Sequence, residues 1–263
     1  MHRLFVFSTI FLASAIPAGA QFVAPGAAVP AVANIAGVND TFWRSDINVL
    51  NLNSEATSVV LVLYPEIKRS GPVFEIQQSD PIDIAGNGQV TISNVVTSVF
   101  GERNNKGALY VYSLDGSQIV VSSRTSTPAP AGGSYGINVN GILVADTAWI
   151  SGVEDEGFTG FYRTSVGVFI PVGPAEGQEV GFTVTVYDSD GVGVASGSLV
   201  FDQAGMQQKF LADFGLEEDL LDGWVEIRCH DPLAVWYAYA TVTDNASNDS
   251  VYRSAITRQS SIP

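Results

Sequence analysis

Histidine and cysteine carry much of the proton transfer, nucleophilic attack and metal ligation in proteins, and this chain of 263 residues holds two of the first and one of the second. His2 lies in the N-terminal leader, which leaves His230 in the turn His230-Asp231-Pro232, directly after Cys229. Nucleophilic catalysis needs a base beside the nucleophile, and no Gly-x-Ser-x-Gly elbow leading into a helix supplies a serine for His230. The histidine therefore reads as a solvated turn residue. Cys229, with no second thiol, forms no zinc site and no intrachain disulfide; it reads as a packed, unreactive cysteine.

Carboxylates are plentiful. Glu154, Asp155 and Glu156 share one loop, and Glu217, Glu218, Asp219 and Asp222 another. A two-acid glycosidase requires one carboxyl held neutral in an apolar cleft, whereas runs of adjacent acids in glycine-rich loops are expected to be solvated. Asp188-Ser189-Asp190-Gly191 has the opening spacing of a calcium loop, but Val192 to Ser198 bring no further acid. A tight Asp-Gly turn explains these residues more simply, so no cofactor is expected and calcium stays a weak candidate at Asp188 and Asp190. Aromatic side chains are the remaining constellation. Strand alternation puts Tyr110 with Tyr112 on one face and Tyr237 with Tyr239 on another. With Trp43, Trp149, Trp224 and Trp236 they either stack on sugar rings at a solvent face or fill a core between sheets.

The elements that must position these groups are strands. Gly, Val, Ser and Thr abound, only 15% of residues are charged, and the net charge is -15, becoming -16 once Arg3 is removed. So acidic a chain repels nucleic acid and anionic lipid. His2 and Arg3, the apolar stretch Leu4 to Ile16 and Ala18-Gly19-Ala20 have the form of a cleaved secretory signal over residues 1–20. No later stretch is apolar enough to span a membrane. The remainder, about 240 residues, suffices for two domains of ordinary size.

The chain also repeats itself. Ala33 to Asp40 returns as Ala148 to Asp155, Phe42-Trp43-Arg44-Ser45 as Phe161-Tyr162-Arg163-Thr164, and Gly107 to Thr127 as Gly223 to Thr243. The expected layout is a flexible tail over 21–28, one β-sandwich repeat over 29–138 and a second over 143–257. Thr127 to Gly133 is a loop inside the first repeat, and Asn140-Gly141 marks the boundary. Ile47 to Leu52 alternates as a half-buried strand, and Ser58 to Tyr64 matches Gly181 to Tyr187. Turns at Leu114-Asp115-Gly116-Ser117, at His230-Asp231-Pro232 and at Asp188 to Gly191 read as hairpins. Short helical turns are expected at Ser93 to Phe100 and Gln208 to Phe214. Many short strands in two long copies favour sandwiches over a propeller or solenoid.

Thr41-Phe42-Trp43-Arg44-Ser45-Asp46, the turn Asn51-Leu52-Asn53-Ser54 and the later Ser123-Arg124-Thr125 resemble the tandem all-β repeats of exported acidobacterial-type proteins, a family of undefined function. The resemblance implies export and fold, and carries no activity. Against that pattern the second copy replaces Asp46 with Ser165 and Arg124 with Ala240, which is the basis for expecting an Asp46–Arg124 ion pair on neighbouring strands of the first copy; two independent surface changes explain the same losses. The sequence thus points to two tandem immunoglobulin-like β-sandwich domains after a cleaved signal, periplasmic or extracellular, and not to an enzyme. The expected function is a structural, adhesive or interaction module of the envelope, with an envelope protein or glycan as partner. A carbohydrate-binding module is the alternative, and a secreted hydrolase a weaker one.

Overall fold

The computed structural model describes residues 24–37, 41–68, 75–129, 132–141, 143–144 and 146–257. The leader over 1–20 and residues 21–23 lie outside them. The fold is an all-β sandwich architecture whose hydrophobic core is split in two, one cluster drawn almost wholly from residues 29–139 and another from 144–255.

The first unit comprises β1 (Gly26–Ala36), β2 (Phe42–Asn51), β3 (Thr57–Pro65), β4 (Gln77–Gln78), β5 (Ile82–Ile84), β6 (Gln89–Ile92), the short helix α1 (Val95–Ser98), β7 (Asn105–Ser113), β8 (Ile119–Pro128) and β9 (Ser134–Asn138). They join in one sheet of order β4-β3-β7-β1-β2-β8-β9, with β5 on β3 and β6 on β2. The long β1 is the fold line, because its first part pairs with β7 and its last three residues with β2. Folding there brings Val29, Leu61, Leu63 and Leu109 against Ile47, Val49, Ile119 and Val121. β1 begins inside the stretch expected to be a flexible tail, and Ala24 already bridges to Ile119. Ala28, Val29 and Val32 are buried, and their burial ties this segment down.

The second unit comprises β10 (Leu143–Val144), β11 (Thr147–Asp155), β12 (Tyr162–Ile170), β13 (Val180–Asp188), β14 (Gly193–Phe201), β15 (Gly205–Phe210), a 3-10 turn (Leu211–Phe214), β16 (Leu220–Cys229), β17 (Trp236–Asp244), β18 (Ser250–Ser254) and β19 (Ile256–Thr257). One sheet runs β10-β17-β12-β15 with β18 on β17, and the other β14-β13-β16-β11-β19.

Pairing registers in the two units correspond at several positions. Tyr64 lies opposite Ala108 as Tyr187 lies opposite Trp224, and Gly107 and Gly223 both pack beneath a carbonyl, that of Tyr64 and that of Tyr187. A Cβ at either glycine would collide with that oxygen. Both short helical turns end in Phe-Gly, with Gly101 and Gly215 in the left-handed region that closes such turns.

Three expectations are corrected. The first strands match six residues away from the sequence alignment: Val29 faces Leu109 and Val32 faces Gly107, as Ile150 faces Val225 and Val153 faces Gly223. The connections at Asp115-Gly116 and at His230 to Pro232 are not hairpins, since β7 pairs with β1 and β3 whereas β8 pairs with β2 and β9. Each crosses from one layer to the other. Asp-Gly supplies the reversal (Gly116 φ 78°) but does not specify which strands then pair. Asp188 to Gly191 is a true hairpin between β13 and β14. Finally, the second crossing is one residue longer, so Arg124 matches Thr241 rather than Ala240: Ile47 pairs with Ser123 and Val166 with Ala240, which aligns Ser123 with Ala240.

Candidate functional site

The four tyrosines singled out from the sequence form neither a solvent platform nor the inside of a sandwich. Tyr237 and Tyr239 are buried on the outer face of β17, Tyr110 is half-buried on the outer face of β7, and these two faces pack together. Phe169 of β12 stands between Tyr64 (ring centroids 5.0 Å) and Tyr237 (5.7 Å, stacked), clustered with Ala28 and Ala108 of the first unit and with Met206, its own cross-strand partner. Tyr239 lies flat over Gly167, its cross-strand partner, where any side chain would strike the ring. Its other side stacks on Tyr252 (5.8 Å), whose hydroxyl donates to Asn140 O at 2.6 Å. Burial pushes the Tyr237, Tyr239 and Tyr252 hydroxyls well above the ordinary phenol range. At the rim Lys106 pairs with Glu66 (2.9 Å) and donates to Gln208 (3.2 Å) across the contact. Ile67 N–H donates to Met206 O (2.8 Å) and Gly141 N–H to Ala28 O (3.0 Å). Tyr112 is half-buried beside Tyr110 on the same strand face.

Asp46 and Arg124 are direct cross-strand neighbours, yet each takes another partner. Asp46 Oδ1 accepts from Asn94 N–H at 2.8 Å, at the start of α1, and the exposed Arg124 guanidinium donates to Ser134 Oγ at 2.8 Å. The expected ion pair is not made, because the carboxylate is turned to a backbone donor. In the second unit the matching positions hold a hydroxyl pair, Ser165 and Thr241, at 2.7 Å.

Asp188 Oδ1 accepts from Asp190 N–H (3.0 Å) and Val192 N–H (2.8 Å), a side-chain turn that occupies its oxygen. Asp190 is exposed at the tip. Among the described residues no cluster of three His, Cys, Asp or Glu side chains is placed to hold a metal. His230 is exposed, over Gly181, its Nε2 2.8 Å from Thr183 Oγ1. Burial raises the Cys229 thiol above its ordinary pKa, and its Sγ lies 3.3 Å from Asp231 O. Asp155 departs from the expected solvated acids: it is 5% exposed, and its two oxygens accept separately from Thr164 N–H and Gly157 N–H, each at 2.8 Å. It fastens a loop.

What the sequence reasoning did not assemble is the outer face of β14-β13-β16-β11. Rows across this sheet read Tyr187–Trp224–Ser151, Ser196–Thr185–Glu226–Trp149 and Ser198–Thr183–Arg228–Thr147. Tyr187 and Trp224 stack on one another at 4.0 Å and 7°. The Glu226 carboxylate accepts from Trp149 Nε1 (3.2 Å) and pairs with Arg228 (3.2 Å), whose side chain is 62% exposed. Apart from the buried Thr147, the side chains of these rows are half-buried or exposed. Alternation in 181–187 and the run Trp224 to Cys229 were visible signals, but only the strand order sets them side by side. An aromatic pair flanked by hydroxyls, a carboxylate and a guanidinium can stack on a flat apolar ligand surface and hydrogen-bond its polar rim.

No family model and no curated protein matches this sequence. Among solved structures, it is similar to a protein provisionally described as secreted from Parabacteroides distasonis, at 10% identity, with 93% of this chain and 83% of the other covered and a TM-score of 0.26. It is also similar to the tandem CBM22-1–CBM22-2 domains of Xyn10C from Paenibacillus barcinonensis, at 10% identity, with 77% and 78% covered and a TM-score of 0.19. Scores this low carry no functional argument. No helix among the described residues is long and apolar enough to cross a membrane.

Proposed function

We propose that this protein is an exported, non-catalytic interaction module of the bacterial cell envelope, a member of a tandem β-repeat family, in which two β-sandwich units are locked together to present one sheet face of the second unit. The leader-like residues 1–20 and the acidic composition support export. The observation that carries the interaction reading is the unequal fate of one face. In the first unit the outer face of β3-β7-β1 is sealed against the second unit through Tyr64, Ala108 and Tyr110. The same face of the second unit holds Tyr187, Trp224 and Glu226, half-buried, and Arg228, exposed. Turn geometry rather than chemistry accounts for His230, Asp188 and Asp155.

Two measurements test this. Fractionation of the producing cells is expected to find the protein, shortened by its leader, outside the cytoplasm; retention in the cytoplasm with an intact leader would refute export. Purified mature protein is expected to be captured by envelope fractions, with capture lost in Trp224→Ala and kept in Ser122→Ala on the opposite side of the first unit.

A further inference from the structure

The matching faces of the two units differ in a consistent direction. Pairing registers align Val60 with Thr183, Val62 with Thr185, Ala28 with Trp149, Ala108 with Trp224, Tyr110 with Glu226 and Tyr112 with Arg228. The covered copy is small and aliphatic at the four positions where the open copy carries two hydroxyls and two tryptophans. Ala28 and Ala108 leave a shallow floor on which Phe169 and Tyr237 settle. Trp224, stacked on Tyr187 and opposite the small Ser151, instead makes a ridge that keeps a second sheet from seating in that way. A slender ligand suits such a surface better than a protein sheet.

We propose that this face binds a neutral polysaccharide built of pyranose rings with mainly equatorial hydroxyls, a proposal that rests on the interaction reading above. Such a ring offers a flat C–H surface to the tryptophan and a rim of hydroxyls to polar groups. Trp224 supplies the stacking surface. Thr183, Thr185 and Ser196 supply hydroxyls, and the Glu226–Arg228 pair supplies acceptor and donor side by side, a matched set for vicinal diols. Charge selects the neutral class. Glu226 already neutralises Arg228 locally, and a chain of net charge -15 repels polyanions such as pectin or alginate.

Affinity electrophoresis of the full mature chain in gels holding hydroxyethylcellulose, mixed-linkage β-glucan, arabinoxylan or alginate tests this. At least one neutral polymer is expected to retard the protein and alginate none. Trp224→Ala should weaken binding at least tenfold, and Arg228→Ala, at an exposed side chain that leaves folding intact, several-fold, with unchanged thermal melting in the latter. Absence of retardation by all three neutral polymers, or retardation unaltered by both substitutions, overturns the proposal. Retardation only by alginate overturns it as well. If envelope capture remains sensitive to Trp224→Ala while neutral polymers fail, the ligand assignment falls and the interaction reading stands. If capture is also insensitive, both fall. Concentration-dependent self-association abolished by Trp224→Ala, without glycan binding, would assign the face to a second copy of the chain.

Discussion

Single side chains in this protein are explained by what burial does to them. Asp155 is the sharpest case: desolvation outweighs its backbone donors and the nearby Arg163, and holds its carboxyl above the usual carboxylate range. A carboxyl raised in the folded state contributes its full stability below the unfolded pKa and loses it as pH climbs through the folded pKa. Asp155→Asn removes that dependence and turns an amide N–H toward one of two N–H donors, at a cost of about 1–3 kcal/mol. Urea melts across pH should therefore show the gap between wild type and variant widest in acid and narrowing as pH rises. A gap that widens with pH contradicts this account. Gly107 makes a second test. Its missing side chain lets β7 pass beneath the Tyr64 carbonyl, and Gly107→Ala should destabilise by about 1–3 kcal/mol, read as a fall in urea midpoint. Neither role was legible beforehand. An acid within Glu154-Asp155-Glu156 looks like its neighbours until the fold turns one of the three inward.

At the level of strands, the repetition of Gly107 to Thr127 as Gly223 to Thr243 agrees in register, with Tyr64 opposite Ala108 and Tyr187 opposite Trp224. Repetition misled at Ala33 to Asp40, where short hydrophobic patterns match at several offsets and only the partner strand decides between them. The hairpin expectation failed for a related reason: a turn's composition determines that the chain reverses, not which layer it re-enters. Asp46 and Arg124 show the limit of inferring contact from paired loss. They are neighbours in register, yet Asp46 serves the Asn94 amide and Arg124 serves Ser134. A double-mutant cycle on Asp46→Ala and Arg124→Ala should return a coupling below about 0.5 kcal/mol. The first substitution alone should cost about 1 kcal/mol through the lost acceptor, and the second almost nothing. Coupling above about 1 kcal/mol would restore the ion pair.

For the molecule as a whole, the aromatic seam makes two cores behave as one. Phe169 is fully buried between Tyr64 and Tyr237, one ring from each side of the contact. Phe169→Ala should cost about 3–5 kcal/mol, and calorimetry, expected to show one transition for the wild type, should then show two. One transition at a lower temperature would mean that the halves are coupled through the Lys106–Gln208 and Ile67–Met206 bonds at the rim and the chain link instead. The all-β class could be read from composition and from the many short strand-like runs. The seam could not, because Tyr110, Tyr237 and Tyr239 carry the same alternation whether they face water, a core or a sister unit.

That seam joins unlike surfaces, the outer face of β7 on the outer face of β12 and β17, and head-to-tail contacts of this kind form rings when the rotation closes and filaments when it does not. Left uncapped, such a geometry would add molecule to molecule into one or the other. Both outermost surfaces block that course. One end carries tryptophan and charge where the buried counterpart is alanine and tyrosine, and the other offers Leu50 and Val120 where Phe169 and Tyr237 would be needed to grip. Neither outer face can therefore repeat the grip made at the seam, which caps the molecule against head-to-tail assembly as polar ends cap longer repeat arrays.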